Sequence, residues 1–527
     1  NESVARGLKY FGRTGDDLDQ PGIMLYETLG CGGGTLDFDR DGWQDIYLAA
    51  AGGMPPERDS QPNELFRNMK GQFVPIGAVS GVADTGFGQG VCVGDLNSDG
   101  FPDLLVLNYG PNRLYLNQGD GRFRDASDLL PPEPYDEWST CAAMADLNGN
   151  GLTDIFIVNY CAGLGPVIQP CQGRSCSPMV FSACEDRIVE STPDGNLEVH
   201  RDSTPPAPGR GLGLVIGQLE GQPGNDVLVA NDMTNNHFYA QDVIDERPVL
   251  RESAMIQGLS GDDRGIPQGS MGIASGDFDG DGDLDFYVTN FDGEYNTLYR
   301  QEADGIWQDR TSANRLIDST LPQVGFGTEA IDVDNDGDLE LFLVNGHVDI
   351  FSREGDSVEY PQSAQVFQLA GDSTYQEVNA DSIGDYFRNR HVGRSLWTID
   401  ANRDGRIDLL ATHQTEPVAL LVNQTPSSYA WVRLELIGTH SGRDAIGARV
   451  SVETLDGEVL TGFRMAAGGY QCSNERFVHL GLGERLERDG VVTVIVEWPD
   501  GSREAFDQVS INDVSILVQT SGLQTRS

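Results

Sequence analysis

Lysine is almost absent from this 527-residue chain: Lys9 and Lys70 are the only two, and the other 33 basic residues are arginine. Against them stand 82 Asp and Glu, for a formal net charge of −47. A chain of that sign repels nucleic acid and anionic membranes and draws cations. Catalysis by lysine has little to draw on. No run of about 18 apolar residues occurs, so no membrane-spanning helix is expected. No helical period persists over a long stretch. The nucleophile elbow G-x-S-x-G, the zinc helix H-E-x-x-H, the P-loop and the dinucleotide fingerprint are all missing. The seven histidines show no close ligand spacing.

The length favours two or three domains. The chain opens at Asn1 with neither a Met nor a basic and apolar leader, which fits a mature exported form; a trimmed chain would look the same. The eight cysteines are an even number, and Cys161, Cys171, Cys176 and Cys184 fall in one short stretch. In an exported chain they read as a disulfide-stapled loop, with a zinc site as the rival reading. A secreted, extracellular or periplasmic setting is therefore expected.

What the chain has in abundance is one nine-residue motif. It reads DFDRDGWQD at Asp37–Asp45, DLNSDGFPD at Asp95–Asp103 and DLNGNGLTD at Asp146–Asp154. It returns as DFDGDGDLD at Asp277–Asp285, DVDNDGDLE at Asp332–Glu340 and DANRDGRID at Asp400–Asp408, with a degenerate copy, QLEGQPGND, at Gln218–Asp226. Copies start 58, 51, 72, 59, 55 and 68 residues apart. Such a period marks repeats that bury their faces against neighbours. Each motif is followed by a short apolar run, such as Leu104–Leu107 or Leu341–Val344, too short for a helix and read as a buried strand. Each is preceded by small residues, such as Gly88–Gly94, suited to strands crowded round an axis. Hairpin patterns follow, as at Asn112–Ser127 and Asn296–Ser312. Four strands in each of seven repeats predict an all-β fold: a seven-bladed β-propeller over residues 1–428. A Cys-rich insertion is expected at about 161–210, with the N-terminal segment Ser3–Phe11 supplying the missing outer strand of the last blade. Residues 429–527 read as a small β-sandwich-like domain.

The motif has the chemistry of a calcium loop. Oxygen side chains at positions 1, 3, 5 and 9, with glycine at position 6 for the turn, can wrap a hard cation that takes six to eight oxygens. The ligand sets are Asp37, Asp39, Asp41 and Asp45; Asp95, Asn97, Asp99 and Asp103; and Asp146, Asn148, Asn150 and Asp154. The remaining sets are Asp277, Asp279, Asp281 and Asp285; Asp332, Asp334, Asp336 and Glu340; and Asp400, Asn402, Asp404 and Asp408. Four carboxylates so close repel one another without a cation. About six calcium ions are expected, as structural staples, weaker where Asn148 and Asn150 lower the charge. In the degenerate copy Gln218, Glu220 and Gln222 replace the acids and Pro223 the glycine, so that loop is expected to hold its turn and bind calcium weakly or not at all.

The repeats resemble FG-GAP/VCBS repeats, as in integrin α-subunit propellers. The fuller resemblance is to the cartilage acidic protein family with its ASPIC/UnbV domain. It rests on the six acidic loops, LFLVNGHVD at Leu341–Asp349, GRSLWTIDANRDGRIDLLATH at Gly393–His413, and, further on, IGARVSVETLDG, GGYQCSNERFVHLGLG and VEWPDG. The resemblance implies secreted, calcium-binding proteins, and fixes fold better than function.

If the acidic loops mark one face, the far ends of the second strands mark the other. Tyr109, Tyr160, Asp232, Asp292, His347 and His413 are expected to ring the channel mouth there, as a ligand face for an extracellular protein or glycan. An asparagine at such a strand end also caps turns, and His347 and His413 could be structural. The alternative function is a calcium-dependent biosynthetic enzyme, of cyclase or aryl-alkylating type, working at the channel mouth or the interface between domains. His347, Asp349, His391 and Arg394 are its candidate catalytic residues.

Overall fold

The computed structural model describes residues 1–15, 18, 21–200, 207–244, 247–303, 305–350, 352–353, 356–357, 359–371, 374–453, 457, 459–483 and 490–524. It is all-β and propeller-like. Every acidic loop joins the first two strands of an antiparallel sheet. The first sheet runs Gly33–Leu36, Asp45–Leu48, Glu64–Asn68 and Phe73–Pro75, each strand beside its chain neighbour. The second repeats that order from Gly88–Gly94 to Phe123–Asp125, and the third from Ser139–Ala145 to Leu197–Val199. The fourth starts at Gly211–Gly217, the fifth at Ile273–Gly276, the sixth at Gly325–Ile331, and the three-stranded seventh at Gly393–Ile399.

These first strands pack side by side in chain order, and the seventh returns to the first. They come so close that side chains would not fit everywhere. A Cβ on Gly90 would lie 2.1 Å from the Thr140 carbonyl oxygen, and one on Gly213 equally close to that of Met271. This is the physical reason for the small residues ahead of each motif. The closure is stitched by side chains: Thr412 Oγ1 donates to the Cys31 carbonyl at 2.8 Å and Thr35 Oγ1 to that of Thr398 at 2.9 Å.

The seventh sheet has an open edge at Ala419–Leu421, and residues 1–10 lie along it without forming a strand. The Glu2 amide donates to the Leu420 carbonyl at 2.8 Å, and the Val418 amide to that of Tyr10 at 2.9 Å. Leu8 joins the core of that sheet with Trp397, Ile399 and Leu420. The turn at residues 3–7 is what prevents a continuous ladder. The stretch 161–210 also needs redrawing. Arg187–Ser191 and Leu197–Val199 are the third and fourth strands of the third sheet, so the excursion lies between Asn159 and Arg187. The short period-two patterns of these strands sit between cysteines and prolines, which hid them. Cys171 and Cys176 form a disulfide, whereas Cys161 and Cys184 are free thiols.

From Ala430 onward two four-stranded sheets enclose a separate core around Val432, Val450, Val494 and Trp498. Within one of them Ala430–Ile437 pairs in parallel with Val514–Val518. Between the strands Val459–Phe463 and Val478–Gly483, the chain leaves this unit and enters the channel between the first strands. Ala466–Ala467 adds a fifth strand to the fourth sheet, opposite Val215 and Ile216. Gly469 bridges to Ile273 and Ser473 to Gly34. Tyr470 is fully buried among Tyr109, Trp138 and Phe326, and its hydroxyl donates to the Leu29 carbonyl at 3.0 Å. The segment therefore plugs the channel. Deleting a buried ring of this size leaves a cavity that cannot close, so Tyr470→Ala is expected to cost about 3–5 kcal/mol. Denaturant unfolding would measure this; a loss under about 1 kcal/mol would show that the plug adds little to stability.

Candidate metal loops and the opposite face

The acid at position 9 is buried in every acidic loop. Asp45, Asp103, Asp154, Asp285 and Asp408 are at most 1% exposed. One carboxylate oxygen accepts the amide of position 2: Phe38 to Asp45 at 3.1 Å, Leu96 to Asp103 at 3.0 Å, Val333 to Glu340 at 3.0 Å. The other accepts an amide from the third strand: Asn68 to Asp45 at 2.7 Å, Asn117 to Asp103 at 2.8 Å, Asn423 to Asp408 at 2.7 Å. The degenerate fourth loop keeps this arrangement, with Asp226 accepting from Leu219 at 3.0 Å and Gln241 at 2.8 Å. Position 9 thus ties loop to sheet with or without the other acids.

Position 1 organises the turn. Asp277 Oδ2 accepts the Gly282 amide at 2.8 Å and Oδ1 that of Asp281 at 3.1 Å; Asp332 does the same with Gly337 and Asp336. Gly282 has φ +90°, the left-handed region where a side chain is strained. In the first and sixth loops the acids at positions 1, 3 and 5 converge, and in the fifth those at positions 1, 3 and 9. The oxygens of Asp37, Asp39 and Asp41 converge within 4.8 Å, as do those of Asp277, Asp279 and Asp285, and of Asp332, Asp334 and Asp336. Asp39 Oδ1 is buried with no hydrogen-bond partner among the described residues. An all-oxygen set with such an orphan fits a hard divalent cation. In the other three loops asparagines dilute the acids, and Asp95, Asp146 and Asp400 still make the same turn to Gly100, Gly151 and Gly405.

Burial sets the electrostatics. It pushes Asp103, Asp154 and Asp226 up to about 7, Asp285 and Asp408 to about 8 and Glu340 to about 9, although their amide donors pull the other way.

A recurrent residue escaped the sequence reading. On or just past the third strand stand Asn68, Asn117, Gln241 and Asn423, and each side-chain amide donates to a carbonyl in the preceding sheet's loop: Ala401 at 2.9 Å, Phe38 at 2.8 Å, Leu147 at 2.7 Å and Val333 at 2.7 Å. The recurring Asn or Gln at the end of the third apolar run was the available signal.

The C-terminal unit covers this loop face. Arg433 Nη1 lies 2.5 Å from Asp400 Oδ2 and Arg443 Nε 3.2 Å from Asp95 Oδ2. Arg449 donates to the Gly282 carbonyl at 2.6 Å, and the Gly483 amide to that of Asn335 at 2.9 Å.

Of the expected ring residues at the opposite face, Tyr109, Tyr160, Asp232 and His347 are buried or half-buried, and His413 lies elsewhere. Tyr109 and Tyr160 flank Trp138, at ring separations of 4.5 and 5.0 Å. The Tyr160 hydroxyl donates to half-buried Asp232 at 2.6 Å. Leu25, Tyr26 and Leu29, with Val167, Cys176 and Phe181 of the excursion, close over them. Asp292 is half-buried at the rim. The four catalytic candidates are occupied with backbone. Asp349 accepts amides of Gly22 at 2.9 Å and Ser175 at 2.5 Å, clamping both covering segments. Arg394 donates to the carbonyls of Thr28 at 2.8 Å and His347 at 3.0 Å and lies 4.0 Å over the Phe326 ring. The buried His347 takes the Val348 amide on Nδ1 at 2.9 Å. His391 stacks on Tyr386 at 4.3 Å and meets Glu416 at 3.2 Å, and His413 Nε2 meets the Tyr386 hydroxyl at 2.9 Å. The last three rings lie apart from the covered mouth, at the edge between the sixth and seventh sheets. The face exposes the apolar Ile168, Met179, Val180 and Met233 beside the polar Gln169, Gln172 and Arg174, with Ser177 Oγ 3.7 Å from the Met233 sulfur.

Comparison with known proteins agrees with this architecture. A model of the FG-GAP-like repeat matches residues 37–106, 95–157 and 277–343, and one described as ASPIC and UnbV matches 438–524. Cartilage acidic protein 1 of Homo sapiens is 24% identical over 518 residues, covering 95% of this chain and 65% of that one; the Mus musculus protein is 24% identical over 394, covering 71% and 54%. The chain thus spans about half to two thirds of the length of these two relatives. Integrin alpha-6 of Homo sapiens is 27% identical over 150 residues, 26% of this chain and 13% of that one. Among solved structures, the BP39L lectin from Burkholderia pseudomallei is similar at 12% identity, with a TM-score of 0.44, covering 77% of this chain and 98% of that one.

Two outcomes follow from position 9. Asp226→Asn removes an acceptor from buried amides in the loop that lacks acids at positions 1 and 5, and is expected to cost about 1–3 kcal/mol in chelator; an unchanged denaturation midpoint would contradict the tie. The pH dependence has a definite sign. These buried acids hold protons in the folded state that the unfolded chain, at its ordinary carboxylate value, has released. Without divalent cations stability therefore falls as pH rises from about 4 through 7–9. Thermal melts in chelator at pH 5 and pH 8 check this; a higher midpoint at pH 8 would refute it.

Proposed function

We propose that this chain, an FG-GAP-repeat protein with an ASPIC and UnbV domain and a relative of cartilage acidic protein 1, is an extracellular calcium-binding module that captures a protein or glycan. Its sheets are the seven blades of one ring over residues 1–428, and residues 429–527 are the domain that caps it. Calcium holds the acidic loops, with Asp37, Asp277 and Asp332 each opening a three-carboxylate set. The convergence of those oxygens is the observation that carries the metal assignment. Positions 3 and 5 would supply ligands, and the bound ion would offset the mutual repulsion of the acids. The disulfide and the strongly acidic composition support an oxidising, saline exterior. No helix among the described residues is long and apolar enough to cross a membrane.

The capture surface lies on the face away from the loops, and the buried ring residues stand beneath it as its support. Exposed apolar side chains on a rigid base, here Ile168, Met179, Val180 and Met233, are the usual mark of a recognition patch.

Two measurements test this. Chelation is expected to lower the melting midpoint, and added calcium to restore it, because an ion bound only by the folded state raises stability by mass action. An unchanged midpoint would remove the calcium assignment. On arrays of matrix proteins and glycans, binding is expected in calcium, with at least about a tenfold loss in Met179→Asp/Val180→Asp, since hot spots cost 2 kcal/mol or more. Equal binding by that variant, with an unchanged melt, would move the site elsewhere.

A further inference from the structure

A cavity of about 500 Å³ lies between the fifth and sixth acidic loops and the strand-and-loop region 459–481 of the C-terminal unit. It is on the loop side, away from the capture face proposed above, and owes nothing to that reading. Its size is that of a small-molecule site. Deep in its wall is Glu329, on the sixth sheet's first strand and 6% exposed. Asn474 of the channel plug fixes one carboxyl oxygen, its Nδ2 donating to Oε1 at 2.9 Å. Asn474 is itself held, its Oδ1 accepting the Thr398 amide at 2.8 Å. The second oxygen, Oε2, takes no hydrogen bond from any described residue. A buried acid with one oxygen fixed and the other left over is costly unless something else meets it.

The rest of the wall says what that is. Asp277, Asp279 and Asp338 stand at the rim, where Asp279 meets Arg300 at 3.0 Å and Asp277 and Asp279 belong to the calcium set of the fifth loop. Phe278, Phe463 and Met465 give an otherwise polar wall its apolar surface. Arg464, the one arginine on the wall, donates to the Met465 carbonyl at 3.0 Å and is answered by Glu435. His479 on the same wall is uncharged, held far below its ordinary value by burial and by Arg433.

We propose that this cavity binds a small organic cation with an apolar body, its ammonium group seated on Glu329 Oε2 and its hydrocarbon part against Phe278 and Phe463. The rings accept the body, and the fixed carboxyl provides a partner of opposite sign once ionised. Burial pushes the free carboxyl up to about 8, and the Asn474 amide pulls the other way. The titratable group facing it from the plug is Cys472, whose thiol is raised by burial and by Glu329 itself. The flanking first strands bring no charge to it: Ile273–Gly276 carries none, and Arg394 on Gly393–Ile399 is turned to the Thr28 carbonyl. Seating an ammonium therefore ionises Glu329, and the proton leaves to solvent.

The test is calorimetric titration of the full chain in calcium at pH 7 with phenethylamine and agmatine, using phenethyl alcohol and potassium chloride as controls, in buffers of different ionisation heat. At least one amine is expected to bind with release of close to one proton. Glu329→Gln, which keeps the Asn474 contact, is expected to bind about tenfold or more weaker with no proton release, the loss of a charged hydrogen bond. Val459→Trp, an exposed substitution at the mouth, is expected to block binding while leaving the melt unchanged. The proposal fails if neither amine binds, if the alcohol or potassium alone binds as well, or if Glu329→Gln binds the amine unchanged.

Discussion

The structure hangs on one arrangement, repeated: a buried carboxylate at the end of each acidic loop that accepts one amide from the loop and one from the third strand. It fixes the loop to its own sheet, while the amide side chain on or just past the third strand in four of the sheets reaches back to the preceding loop. Sheet-to-sheet order thus follows from two short-range contacts per repeat. The fourth loop is the informative case. It has lost the acids at positions 1 and 5 and the glycine at position 6, keeping Glu220 at position 3, and Asp226 and Gln241 keep their bonds. Scaffold and metal site are therefore separable layers of one motif: position 9 belongs to the scaffold first, and positions 1, 3 and 5 to the cation.

The C-terminal unit changes what the ring can do. Its plug fills the channel with Tyr470, Gln471 and Cys472, and its arginines lie on the loops. Arg433 bridges Asp400 and Glu475, both at 2.5 Å, so a loop acid and the plug share one guanidinium. All three groups are buried, where a pair lacking one partner is far costlier than an intact pair is stabilising. The consequence is a strong demand for the docked geometry. A cation arriving at the seventh loop enters a site whose first acid is already partnered, unlike Asp332 in the sixth, which meets only its own turn. The loops are thus unequal for reasons beyond their acid count.

The repeat, the strand order and the second unit were legible because they rest on local pattern: a nine-residue motif, short apolar runs and Gly-rich lead-ins. The stretch 161–210 was misjudged because strands of five and three residues carry too little periodicity to stand out among cysteines and prolines. The N-terminal segment was placed at the correct edge, but its turn at residues 3–7 could not be foreseen from apolar spacing. The plug was invisible for a different reason. GGYQCSNE reads as a polar loop, and only the three-dimensional closure of the first strands creates the channel that buries Tyr470. The same applies to Asp349 and Arg394: charged residues look chemical in a sequence, and here their charges hold backbone segments that cross from distant parts of the chain.

Those buried charges also bear on where chemistry can occur. Asp349 is spent on Gly22 and Ser175, and Arg394 on four carbonyls and an aromatic face. A group so engaged cannot reorient toward a substrate without releasing the segments it fixes, which sets a high barrier to any catalytic use of the covered mouth. Glu329 is built the other way round: half of its carboxyl is fixed and half is not. Positioning one oxygen while leaving the other free orients a charge toward a ligand at no further cost in side-chain entropy. Apart from the acids of the metal loops, it is a buried acid whose surroundings leave room for a partner from outside the chain.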